Sequence, residues 1–248
     1  MMQKQMNTID VIILSNTADS NYHNLLSITI NSIKSQSEVL TNVILVETNN
    51  EYKTKEQYNL PIDVLVIPNE PFHFNKFLNY GLSHSTAEYI CFSNNDVRYY
   101  PNSLSELISA LQTYDSVSPY APQGAPIGPN HKGYSTELDP TKVTEGDEIN
   151  KYFFGFCFCF TRKTMNTCFS GSKFDERFAF WFQDDDIIYT LRKKKAKHAL
   201  VGPARVNHLN FKGELGVGGN SYKLFLKHEL KTFLMGQRHK LCKKWKID

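Results

Sequence analysis

The sequence predicts a single α/β domain, a mostly parallel central sheet flanked by helices, followed by a basic helical tail. Three observations predict it. Short, wholly apolar runs alternate with amphipathic stretches along the first half of the chain, the pattern of strands buried on both faces. Polar or acidic clusters follow several of those runs directly, at the strand ends where such sheets hold ligands. The 248 residues, 41% hydrophobic and 13% aromatic with a mean hydropathy of −0.41, suffice for one sizeable core; they exclude a disordered, collagen-like or multi-span membrane chain.

Each element has its own signal. Ile9 to Leu14 is an apolar run that stops at Ser15-Asn16-Thr17, a buried strand entering a loop. Leu25, Leu26, Ile28, Ile30 and Ile33 suggest a helix. Val43 to Val46 is a second strand, ending at Glu47-Thr48-Asn49-Asn50, and Val64 to Ile67 a third, stopped by Pro68. Phe74, Phe77, Leu78 and Leu82 mark a helix, followed by the strand Tyr89 to Phe92. Leu104, Leu107, Ile108 and Leu111 fall on one helical face. Residues 115–147 are rich in Pro, Gly, Ser and Thr and show no period, which predicts a mobile functional loop. Phe153 to Phe160 alternates small and aromatic residues like a strand, Asp184 to Lys195 reads as a helix, and His198 to Val201 and Val206 as short final strands. The domain is expected over 1–215 and a helical extension over 216–248.

Charge is uneven. The net charge is +3, from 28 Lys and Arg against 25 Asp and Glu. From Lys223 onward eight basic residues face only Glu229 and Asp248, so the tail carries +6 and the rest −3. A basic tail on an acidic body suits an anionic surface, be it nucleic acid, anionic lipid or a phosphorylated acceptor, or else a solvated helix. Five scattered cysteines are no disulfide framework; Cys157, Cys159 and Cys91 read as buried thiols rather than metal ligands. The first residues lack an apolar segment, and the longest apolar stretch, Tyr152 to Phe160, is about half of what spans a bilayer. A cytoplasmic protein without a transmembrane segment is expected, peripheral to a membrane or, for a phage-encoded chain, in the host cytoplasm.

Three strand-end or helix-start clusters carry candidate chemistry. Glu47, with Thr48 and Asn49, offers a carboxylate to a nucleotide base or ribose, or is simply a loop acid. Phe92-Ser93-Asn94-Asn95-Asp96 leaves oxygen ligands at a sheet edge, where a hard cation binds through one carboxylate while phosphates complete its shell; the same residues also make ordinary turns. Trp181-Phe182-Gln183-Asp184-Asp185-Asp186 sets three carboxylates after aromatics at a helix start. The helix dipole favours acids there, and their mutual repulsion raises a pKa toward that of a general base. Val206-Asn207-His208 ends a strand with an imidazole.

In their order these pieces resemble the family 2-type glycosyltransferases of the GT-A (Rossmann-like) fold, from about Ile9 to Leu209. The resemblance rests on Ser15-Asn16, Glu47, Phe74-Asn75, Asn79-Tyr80-Gly81-Leu82, Asn94-Asn95-Asp96 with Pro101 and Leu104, Gly155, Phe174-Asp175, Gln183-Asp184-Asp185-Asp186 with Leu191-Arg192, and His208. It implies that Ser15, Asn16, Glu47, Asn75, Asn94 and Asn95 bind the donor. It further implies that Asp96 and His208 ligate Mn²⁺ or Mg²⁺, and that Asp184 or Asp185 (or, in another register, Asp186) is the catalytic base. Trp181, Phe182 and Gly155 would meet the acceptor. Glu47 stands where the family usually has Asp, and Gln183 where it has Glu.

The implied activity is an inverting, metal-dependent transfer of a hexose or pentose from a nucleotide sugar, UDP-linked in the first instance. The acceptor would be a hydroxyl of a surface polysaccharide, of a lipid-linked glycan, or of a modified base in phage DNA. Two rivals differ in class. One is a non-catalytic nucleotide-sugar or nucleic-acid binding module, suggested by Gln183 and Glu47. The other is a nucleotidyltransferase, which would carry a Gly-rich loop after the first strand, where this chain has Ser15-Asn16-Thr17-Ala18-Asp19; Gly216-Val217-Gly218-Gly219 reads as a hinge into the tail.

Overall fold

The computed structural model describes residues 6–49, 55–122, 138–149, 151–179, 181–209 and 228–247. Nine strands make one sheet among these residues: β1 (Thr8–Ser15), β2 (Leu40–Glu47), β3 (Val64–Val66), β4 (Tyr89–Asn94), β5 (Val97–Tyr99), β6 (Ser116–Tyr120), β7 (Val143–Glu145), β8 (Cys157–Thr161) and β9 (His198–His208). The helices are α1 (Ser20–Lys34), α2 (Phe74–Ser83), α3 (Ser103–Ala110), α4 (Arg162–Cys168), α5 (Gln183–Lys193) and α6 (His228–Trp245).

The strand order is β3-β2-β1-β4-β8-β6-β9-β5, with β7 on β9. β1, β2, β3 and β4 are parallel, and β6 with β9 continues their direction. β8 runs against both its neighbours. That reversal matters for the site. Because Cys157 pairs with Ser93, the chain enters β8 at the edge where β1, β2, β4 and β9 end, so residues 155–156 lie on the edge that carries the strand-end clusters.

The apolar strands bury both faces. Ile9, Val11 and Ile13 of β1 join a core with Leu26 and Ile30 of α1 and Leu104 and Leu107 of α3. Ile12 and Leu14 join the opposite core with Phe77 and Leu82 of α2, Met165 of α4 and Ile187 and Leu191 of α5. A side chain at Gly81 would drive into Ile12, so glycine lets α2 lie directly on the sheet. Phe92, Phe158 and Phe160 are buried there and meet face to face or edge to face at 5.1–6.3 Å. On the other side Cys91 and Cys157 are buried free thiols, 3.9 Å apart and both in reach of the Tyr99 hydroxyl.

Several elements depart from the sequence pattern. Ser116–Tyr120 and Val143–Glu145, inside the stretch expected as a loop, are strands; residues 123–137 lie outside the described residues. The predicted strand over 153–160 starts only at Cys157. The two short final strands are one, β9, which passes Gly202-Pro203 by a bulge: its register against β6 steps from Val201 to Arg205. The predicted Gly216–Gly219 hinge lies outside the described residues. No described helix is long and apolar enough to cross a membrane.

Candidate active site

Four strand ends and the start of α5 converge at one edge of the sheet. At the end of β2 Glu47 is fully buried. Its Oε1 accepts from the backbone N–H of Thr17 (3.0 Å) and of Asn49 (2.7 Å), and its Oε2 from the Thr17 hydroxyl (2.6 Å) and the Tyr58 hydroxyl (3.0 Å). A carboxylate has about four lone-pair sites, and all are taken by the chain's own donors. Glu47 thus shapes the loop after β1. In that loop Ser15 is buried and accepts from Asn95 Nδ2 at 3.1 Å, while Asn16 is exposed.

At the end of β4 the Asn94 N–H donates to the Phe156 carbonyl (2.8 Å), and Asn95 accepts at its carbonyl from Thr29 (2.9 Å). Asp96 comes next, just before β5. Because Val97 pairs with His208, Asp96 Oδ1 lies 3.1 Å from His208 Nε2. That approach lacks hydrogen-bond geometry, and Oδ1 is buried without a hydrogen-bond partner. A buried carboxylate oxygen facing an imidazole nitrogen is a donor set that fits a divalent cation. Among the described residues no third Asp, Glu, His or Cys joins them, so water and a ligand's oxygens would fill the remaining positions, as is usual for Mg²⁺.

The start of α5 separates the three aspartates. Asp184 lies against Gly155: a Cβ there would sit 2.5 Å from the Asp184 carboxyl carbon. Its Oδ1 is buried with no hydrogen-bond partner. Burial and, after it, the Asp185 carboxylate push Asp184 up to about 7. Asp186 turns the other way. Its Oδ2 accepts from Lys244 Nζ (2.9 Å) and its Oδ1 from Trp245 Nε1 (2.7 Å), both on α6, and Lys244 also pairs with Asp175 (2.8 Å). Burial raises Asp186, against the lowering effect of Lys244 and Trp245. Asp185, also raised by burial, stands on the stripe of α5 that carries Arg192 seven residues on. Phe182, half-buried like Trp181, takes a left-handed backbone (φ 63°) to turn the chain into α5; Phe180 lies outside the described residues.

One dipeptide joins the two halves of the site. Gly155 lies against Asp184, and the next residue, Phe156, stacks on the His208 ring at 4.4 Å and 15°. From the far side, α2 fixes the segment that leads into α5. Asn75 Nδ2 donates to the Asp175 carbonyl (2.9 Å), leaving its buried Oδ1 without a hydrogen-bond partner, and Asn79 exchanges hydrogen bonds with the Phe174 backbone. The structure therefore gathers Ser15, Asn94, Asn95, Asp96, Gly155, Asp184 and His208 at one edge, with Asn75 and Glu47 as braces. Sequence reasoning missed Thr17, Tyr58, Phe156, Lys244 and Trp245. Only the basic and aromatic end of the tail carried a signal for the last two.

The glycosyl transferase family 2 model matches residues 20–183. Among solved structures, the chain is similar to GalNAc-T7 with UDP, GalNAc and Mn²⁺ (TM-score 0.63, 13% identity, 82% of this chain and 43% of that one). It is similar to S. aureus TarS 1–349 (0.57, 14%, 82% and 60%) and to the mannosyltransferase PcManGT of Pyrobaculum calidifontis in complex with GDP-Man and Mn²⁺ (0.58, 14%, 89% and 61%). The chain thus spans about half the length of these structures. No curated protein matches it. Asp184, His208 and α6 lie beyond the matched stretch.

Proposed function

The chain belongs to glycosyl transferase family 2, and on that premise we propose that it transfers a sugar from a nucleotide-sugar donor to an acceptor hydroxyl with inversion, Asp184 acting as the base. The observation that carries this reading is the Gly155-Phe156 dipeptide, which touches at one end Asp184, whose buried Oδ1 has no hydrogen-bond partner, and at the other His208 of the Asp96–His208 pair.

The chemistry follows from the groups. An acceptor hydroxyl is a poor nucleophile. Asp184, poised near neutral pH with no internal hydrogen bond to break, takes its proton as the oxygen attacks the anomeric carbon. The bond from that carbon to the donor's diphosphate breaks on the opposite face, and the diphosphate leaves with the electron pair through an oxocarbenium-like transition state. Asp96 and His208 would hold Mn²⁺ or Mg²⁺, which when bound supplies Lewis-acid stabilisation of the leaving diphosphate. Ser15, Asn94 and Asn95 line the donor side, and Glu47 acts through Thr17 by fixing that loop. Trp181 and Phe182, at the head of α5, face the acceptor side.

The test is release of nucleoside diphosphate from UDP-, GDP- and dTDP-sugars with Mn²⁺ or Mg²⁺, using wild type, Asp96→Ala and Asp184→Asn, with glycan, lipid-linked and DNA acceptors. Metal-dependent release lost in both variants is the expected result. Nucleotide-sugar binding without turnover on any acceptor would instead point to a binding module.

A further inference from the structure

A second charged surface lies on the other side of α5. Asp186, Thr190, Lys193 and Lys194 recur at helical spacing along one face, about 200° around the axis from Asp184. Between that face, the segment after α4 and the end of α6 runs a groove of about 460 Å³. Five cations line it: Lys173, Arg177, Lys193, Lys194 and Lys244. Its two carboxylates are already engaged, Asp175 by Arg177 and Lys244, and Asp186 by Lys244 and Trp245. Lys173, Lys193 and Lys194 are exposed and, among the described residues, have no carboxylate within ion-pair distance. The lining therefore carries a net +3.

Three features select the ligand. The surface is concave, which suits a chain better than a bilayer. None of the exposed large apolar side chains among the described residues (Met6, Leu40, Phe72, Tyr100, Val143 and Met235) lines it, so it has no wedge for lipid. Trp245 is stacked on Tyr189 at 5.6 Å with Lys193 and Lys244 over its ring, so recognition falls to cations rather than to an open aromatic face. Lys193, Lys194 and α6 lie outside the stretch that matches the family, so much of this groove is built by parts of the chain the match does not cover.

We propose that the groove is an exosite for the backbone of a linear phosphodiester chain, with Lys173, Lys193 and Lys194 on its phosphate oxyanions. Such contacts release counterions, so affinity falls with salt. Binding needs neither donor nor turnover and is independent of the transferase reading. Only the further step, that the bound chain carries the acceptor hydroxyl to Asp184, rests on that reading.

The test is fluorescence anisotropy of the full chain with labelled single-stranded oligothymidylate and with poly(glycerol phosphate), and co-sedimentation with vesicles of equal phosphatidylcholine and phosphatidylglycerol. For three phosphate contacts, log K against log salt should fall with a slope of about −2 on a single strand. The triple variant Lys173→Gln/Lys193→Gln/Lys194→Gln, melting like wild type, should flatten that slope by about 2 and weaken binding at least about tenfold at low salt. The polymer bound more tightly identifies the source of the phosphodiester. The proposal fails if neither polymer binds, if only vesicles do, or if the variant binds as well as wild type. It also fails if Lys142→Gln/Lys151→Gln/Lys197→Gln, on the β7 side, costs as much.

Discussion

Two carboxylates border the same sheet edge and have been built for opposite ends. Glu47 sits among four donors, from Thr17, Asn49 and Tyr58, and has no lone pair left to offer. Asp184 sits against a glycine backbone, and its buried Oδ1 receives nothing. A buried acid that is fully bonded stiffens the loop around it. One left unbonded stores a cost of burial that is recovered only when a proton or a substrate hydroxyl arrives. Asp186, two residues from Asp184, repeats the first pattern with Lys244 and Trp245. The difference between neighbours in a single acidic run is thus one of helix phase.

The sharpest way to break this comparison is Asp184→Asn. Transfer should fall by about 10²–10⁴-fold, the usual contribution of a general base, while thermal stability at pH 8 is kept or improved; retained turnover would remove Asp184 from the chemistry. Gly155→Ala comes next. The added methyl claims the space of the Asp184 carboxyl, and a displacement of that size costs about 10²-fold in rate, so kcat should drop while metal affinity at Asp96 and His208, read by titration, stays put. Glu47→Gln should act on folding first. Replacing an acceptor of four hydrogen bonds by an amide costs about 2–3 kcal/mol, measured by chemical denaturation. Lost donor affinity with intact stability would make Glu47 a ligand contact and dissolve the contrast.

The smallest effect sharpens it. Native Asp184, raised to about 7, binds its proton more tightly than the unfolded chain does. The stability that Asp184 contributes therefore falls as pH rises from about 4 to about 7 and is flat above. Melting curves at pH 5 and pH 8 should show the Asp184→Asn variant gaining on wild type by a few degrees.

The buried parallel strands were legible because both their faces are covered, which leaves unbroken apolar runs such as Ile9–Leu14. β6 was not, since Ser116, Ser118 and Pro119 read as loop chemistry. Nor was the continuity of β9, whose Gly202-Pro203 pair signals a stop where the chain makes a bulge. In the site, residue types and order were legible. The assignment of Asp184, Asp185 and Asp186 was not, because it depends on what each meets across space: a glycine 29 residues earlier for the first, a tryptophan 59 residues later for the last. Gly155, expected to meet the acceptor, lies against the Asp184 carboxyl, which fills the space a side chain there would take.

The chain has only two tryptophans, and both stand beside that run: Trp181 three residues before Asp184, and Trp245 on Asp186 through its indole N–H. With one replaced by phenylalanine, the other becomes an optical probe of a single face of α5. Emission from Trp181 would register what binds near Asp184, and emission from Trp245 what enters the groove behind it, each in the absence of any label.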